Sequence, residues 1–126
     1  PFRIVKVPLP EPVERLVVVR ENRDSEGIRS IPVDVFLPNE RPAIGDTLIQ
    51  ISASSYLNFL VSNGVVLNAT YLEHGTSPEK ENKVKAIFEE VFPGRKLVWI
   101  DAMAQNWSGG GIHCSTQQEP LAIITN

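Results

Sequence analysis

The chain has 126 residues, 42% of them hydrophobic and 21% charged, with twelve basic against fifteen acidic side chains and a net charge of -3. This is ordinary for one globular domain large enough to bury a core, and without a Lys/Arg cluster interleaved with aromatics no nucleic-acid partner is expected. No apolar run approaches the ~18 residues of a spanning helix, so no membrane partner is expected either.

The opening "PFRIVKVPLPEP" lacks the layout of a signal peptide. Because it starts at Pro1 with no initiator Met, it suggests processing or an incomplete chain. One cysteine, Cys114, excludes an internal disulfide and fits a reducing, cytoplasmic setting.

In chain order, "FRIVKVPLP" alternates apolar and polar residues and predicts a strand from Arg3 to Val7. The β-branched run Val13 to Arg20 predicts a second. From Glu21 to Asp46 charges, prolines, Gly27 and Gly45 predict long loops around one short extended piece, "IPVDVFLP". Two apolar runs flank Asn63-Gly64, a dipeptide suited to a tight hairpin, and predict paired strands at Tyr56 to Ser62 and Val65 to Tyr71.

Next comes a helix with both ends marked. Ser77 is placed to cap it, Pro78 lies in its first turn, Glu79 and Glu81 sit near the positive end of its dipole, and Gly94 closes it. Val84, Ile87, Phe88 and Val91 form one apolar stripe, so the helix should lie on a sheet. "KLVWI" at residues 96 to 100 predicts the strand that follows, completing a β-β-α-β unit. Loop and strand are expected to alternate through Ala102 to Gly111. A final strand is expected at Ile112 to Gln118, ahead of the apolar tail "LAIIT".

Chemistry concentrates in "NWSGGGIHCSTQQEP", residues 106 to 120. The run Gly109, Gly110 and Gly111 allows positive φ or a close approach of backbone to a ligand, but without a Lys-Ser/Thr ending and a following helix it is not a phosphate loop. Cys114 just beyond it reads either as a small packing hydrophobe or as a nucleophile, and the second requires surroundings that favour the thiolate. If the last segment is a strand, His113 faces away from Cys114. His74, His113 and Cys114 are too few and too ill-spaced for a structural zinc site, so neither a metal nor a cofactor is expected.

"GGGIHCSTQQEP" resembles the C-terminal signature of the agmatine deiminase and bacterial-type (Porphyromonas-type) peptidylarginine deiminase family. The likeness extends through "SYLNFLVSNGVVL", the helix ending "FPGRKLV" and the opening "PFRIVKVPLPEP". One departure is Gly111, where agmatine deiminases usually carry Asn.

The resemblance implies an α/β (α+β) fold, the pentein α/β-propeller of five β-β-α-β modules, of which residues 1–126 would supply about two as the C-terminal portion of a deiminase domain. It implies hydrolysis of a guanidine by Cys114 through a covalent thiouronium, with Gly109, Gly110 and Gly111 bordering the substrate. Agmatine is the first choice of substrate, peptidyl or free arginine the second. The family's Gly-His-x-Asp motif, which carries the general acid, does not occur in this chain, and neither histidine matches it. The implied partners are therefore a small guanidine substrate and the N-terminal remainder of the same enzyme, and a homo-oligomer is expected. A catalytically silent pentein module is the alternative of another class.

Overall fold

In a computed structural model, which describes residues 2–21 and 29–120, the chain separates into two units, one formed by 1–12 with 52–126 and the other by 13–51. The tail "LAIIT" and part of the first long loop lie outside the described residues.

The 13–51 unit is a three-stranded sheet, β1 (Glu14–Arg20), β2 (Ser30–Pro32) and β3 (Thr47–Ile51), with β1 in the centre. It runs parallel to β2 and antiparallel to β3. Alternation along β1 buries Val17 and Val19, while Leu16 stands exposed opposite the exposed Ile49 of β3. The piece expected to be extended at 31–38 is so only at its start. Past Pro32 it winds into a 3-10 turn at Val33–Val35, and β3 falls in a stretch with no predicted element.

The larger unit carries β4 (Leu60–Ser62), β5 (Val65–Ala69), α1 (Pro78–Val91) and β6 (Lys96–Ile100). Central β5 pairs antiparallel with β4 and parallel with β6, so hairpin, helix and strand form the predicted β-β-α-β unit. Only this sheet has that order. In the other, the central strand comes first, and its described residues include no α-helix.

Ser77 caps α1 as expected, its hydroxyl accepting from the Lys80 amide at 3.2 Å. The helix buries Val84 and Phe88. Phe88 meets Phe59 and Trp99 edge-on, with centroids 5.0 and 5.7 Å apart, each contact adding about 0.5–1.5 kcal/mol beyond area burial.

Three predicted strands need correction. Residues 3–7 are not a strand: Pro8, Pro10 and Pro12 follow them, no sheet edge receives them, and they are part of a strap along α1. Ion pairs Arg3–Glu90 and Lys80–Glu11 tie the strap down. The strand expected from Tyr56 starts only at Leu60, because Tyr56 to Asn58 turn to bury the Tyr56 ring against Tyr71, centroids 5.2 Å apart. Residues 112–118 do not form a strand either. They make a 3-10 turn at His113–Ser115, preceded by a short unpredicted helix, α2 (Met103–Trp107).

Candidate functional site

A buried carboxylate anchors the turn that leads to the site. Glu81, fully buried on the first turn of α1, accepts from the Thr70 hydroxyl at 2.5 Å, the Tyr71 amide at 2.9 Å and the Tyr56 hydroxyl at 3.2 Å, with the Lys85 ammonium 3.2 Å away. Burial alone would raise its pKa, yet Thr70, the Tyr71 N–H and Lys85 together hold it below the ordinary value. Glu81 therefore does more than complement the helix dipole: it fixes Tyr56, and with it the turn carrying Asn58. The Tyr71 hydroxyl bonds the same segment, accepting from the Ser55 amide at 3.0 Å.

Asn58 is the residue that the strand reading missed. Its side-chain oxygen accepts from the Cys114 amide at 3.1 Å, and its carbonyl accepts from the His113 amide at 3.2 Å. A backbone N–H can only donate, so this contact fixes the orientation of the side-chain amide. Nδ2 is thereby turned toward the Cys114 sulfur, 2.9 Å away. The one signal in the sequence was an Asn, a residue depleted in strands, inside "SYLNF".

Cys114 is exposed and is not a packing residue. The Asn58 amide, followed by the backbone at Gly111, draws its thiol below the ordinary value, against a smaller opposing effect of burial.

Each glycine of the run has its own reason. Gly109 has φ +89°, a conformation that side chains resist. A Cβ on Gly110 would lie 3.0 Å from the Cys114 Cβ. A Cβ on Gly111 would lie 2.7 Å from the Asn58 Cγ, so only glycine lets the asparagine approach.

A cavity of about 540 Å³ opens beside the sulfur, lined by Ala104, Gln105, Ser108, Gly109, Gly110, Cys114 and Ser115, none of them charged. Gly111 is buried behind Asn58 and is not on this wall. The Gly110 carbonyl accepts from Asn106 at 2.7 Å and the Gly111 carbonyl from the Ser115 hydroxyl at 3.0 Å.

The histidines lie elsewhere. His113 helps to line a second surface cavity with Leu57, Phe59, Val61 and Gln118. Its separation from the cavity beside the sulfur comes from the 3-10 turn, not from strand alternation. His74 Nε2 bonds Asp101 at 2.9 Å, and the other Asp101 oxygen accepts from the Met103 amide at 2.8 Å. That N–H, with His74 second, keeps the Asp101 carboxyl below its usual range.

Among known proteins, the chain is 35% identical over 68 residues to an agmatine deiminase of Ectopseudomonas mendocina, a match covering 54% of this chain and 17% of the relative. To an agmatine deiminase of Pseudomonas aeruginosa it is 28% identical over 119 residues, covering 83% and 31%. The solved agmatine deiminase of Enterococcus faecalis superposes with a TM-score of 0.52 at 28% identity, covering 76% of this chain and 23% of that one. The chain thus spans less than a third of each of these relatives. Residues 1–120 match the family described as Porphyromonas-type peptidyl-arginine deiminase, and on that match the chain belongs to that family.

Proposed function

We propose that this chain supplies the nucleophile of a guanidine deiminase, most simply one converting agmatine and water to N-carbamoylputrescine and ammonia. The observation that carries this reading is the exposed Cys114 sulfur, held 2.9 Å from the Asn58 amide on the wall of an open cavity. A guanidinium carbon is a weak electrophile, since its charge is spread over three nitrogens, so attack needs a thiolate and groups that orient those nitrogens.

In the proposed reaction the Cys114 thiolate forms a C–S bond to that carbon, and one C–N bond breaks as its nitrogen takes a proton and leaves as ammonia. Water then adds to the S-alkylthiouronium, the C–S bond breaks, and the ureido product departs with the thiolate restored. Asn58 steadies the sulfur as an anion at both ends of the cycle.

No carboxylate or histidine is among the described residues lining the cavity. On this reading, the acid and the carboxylates that grip the guanidinium come from the N-terminal remainder of the enzyme in a closed pentein ring. The exposed Leu16, Ile49 and Ile51 of the 13–51 sheet fit such a covering. Names among the relatives favour agmatine, whereas the family description favours peptidyl arginine as the second substrate.

The test is ammonia release from agmatine and from an arginine peptide by the full-length protein. Turnover that disappears in a folded Cys114→Ser variant is expected, because a serine hydroxyl is far less ionised. A wild-type protein inert toward both substrates would leave the silent binding module as the reading.

A further inference from the structure

We propose that Asn106 is a positioning residue, holding the glycine loop where the Cys114 sulfur meets the Asn58 amide. The inference rests on the nucleophilic role of Cys114, but its readout does not require turnover.

The two residues that make the thiolate contact are 56 positions apart in the chain, on segments 52–58 and 109–114. Asn106 bonds to both. Its Nδ2 donates to the Gly110 carbonyl at 2.7 Å and to the Ala53 carbonyl at 3.3 Å. Its own carbonyl accepts from the Ala53 amide at 3.2 Å and the Gly109 amide at 3.1 Å. Gly110 lies directly against Cys114, since a Cβ placed on it would sit 3.0 Å from the Cys114 Cβ. Displacement of Gly110 therefore carries the cysteine with it.

The residue type argues in the same direction. Asn106 is buried, 2% exposed, on the five-residue helix α2, and its Oδ1 is buried with no hydrogen-bond partner. Asparagine is a poor helix former, and a buried amide with one end unpaired is less favourable than a leucine of similar size. A side chain that only filled space there would be better as leucine. What leucine cannot do is bond Gly110 and Ala53 together.

The experiment is the pH dependence of iodoacetamide alkylation at Cys114, followed by peptide mass analysis in the full-length protein, with thermal melting beside it. In Asn106→Leu, melting should stay close to wild type while the alkylation midpoint moves upward, toward the ordinary thiol value. Asn106→Ser, too short to reach the Gly110 carbonyl, should give the same shift and carries the test if the leucine variant does not fold. An unmoved midpoint in either folded variant overturns the proposal, as does unfolding of both, which would make Asn106 a core residue alone. A wild-type protein that alkylates with a depressed midpoint but releases no ammonia would sink the deiminase reading and leave this one standing.

Discussion

Glu81 and Cys114 are both acids whose anions are favoured by hydrogen bonds, yet one is sealed in the molecule and the other opens onto a cavity. Glu81 is fully buried and satisfied by Thr70, Tyr71, Tyr56 and Lys85. Cys114 is exposed and has one side-chain donor, Asn58. Burial commits a charge to the fold, because every lone pair left without a partner there is costly. A sulfur with one donor and a free face remains able to attack. Glu81 supports Cys114 indirectly, by fixing Tyr56 and hence the turn of Asn58.

The strongest way to break this contrast is Glu81→Ala, which strands the Tyr71 amide and the Tyr56 hydroxyl. A loss of roughly 3 kcal/mol in denaturant unfolding is expected, as for other broken buried pairs. The pH dependence has a definite sign. With the folded pKa of Glu81 below its ordinary 4.5, its contribution is complete above that value and is lost as pH falls below it toward the folded pKa. Glu81→Gln should therefore flatten acid unfolding below about pH 4.5, and an unchanged acid limb would refute the assignment.

Smaller and more local is the effect expected at the glycines. Gly111→Ala pushes a methyl against Asn58 and should cost about 1–3 kcal/mol, while raising the pH at which Cys114 is alkylated. Gly109→Ala meets nothing within 4 Å but is strained at φ +89°. It should cost about 1 kcal/mol and leave the alkylation profile nearer to wild type. Equal profiles in the two variants would mean that Asn58 does not set the thiol.

The least effect is expected at the residue beside the cysteine. His113 is exposed, so His113→Asn should change stability by less than about 0.5 kcal/mol and leave the pH–rate curve intact. A lost titrating limb would instead make His113 a participant in the chemistry.

Local pattern determined a good part of this molecule. The turn at Asn63-Gly64, the helix from Ser77 with its cap and its buried Val84 and Phe88, and the strand at 96–100 each stand where period and turn chemistry place them, since these signals act over a few neighbouring residues. Cys114 and the glycine run stood out in the sequence by residue type and family resemblance, and the structure brings Cys114, Gly109 and Gly110 together on one cavity wall. What tertiary structure alone decided is how distant segments meet. Residues 3–7 alternate like a strand but join no sheet, and lie instead against α1, Val5 and Val7 beside Ile87, Phe88 and Val91. Tyr56 leaves the strand pattern because its ring finds Tyr71 and its hydroxyl finds Glu81. The thiol is tuned by Asn58, 56 residues away, and Gly111 is glycine because of that same side chain. Such contacts leave no period in the sequence: they arise between surfaces that exist only once the elements have formed and packed.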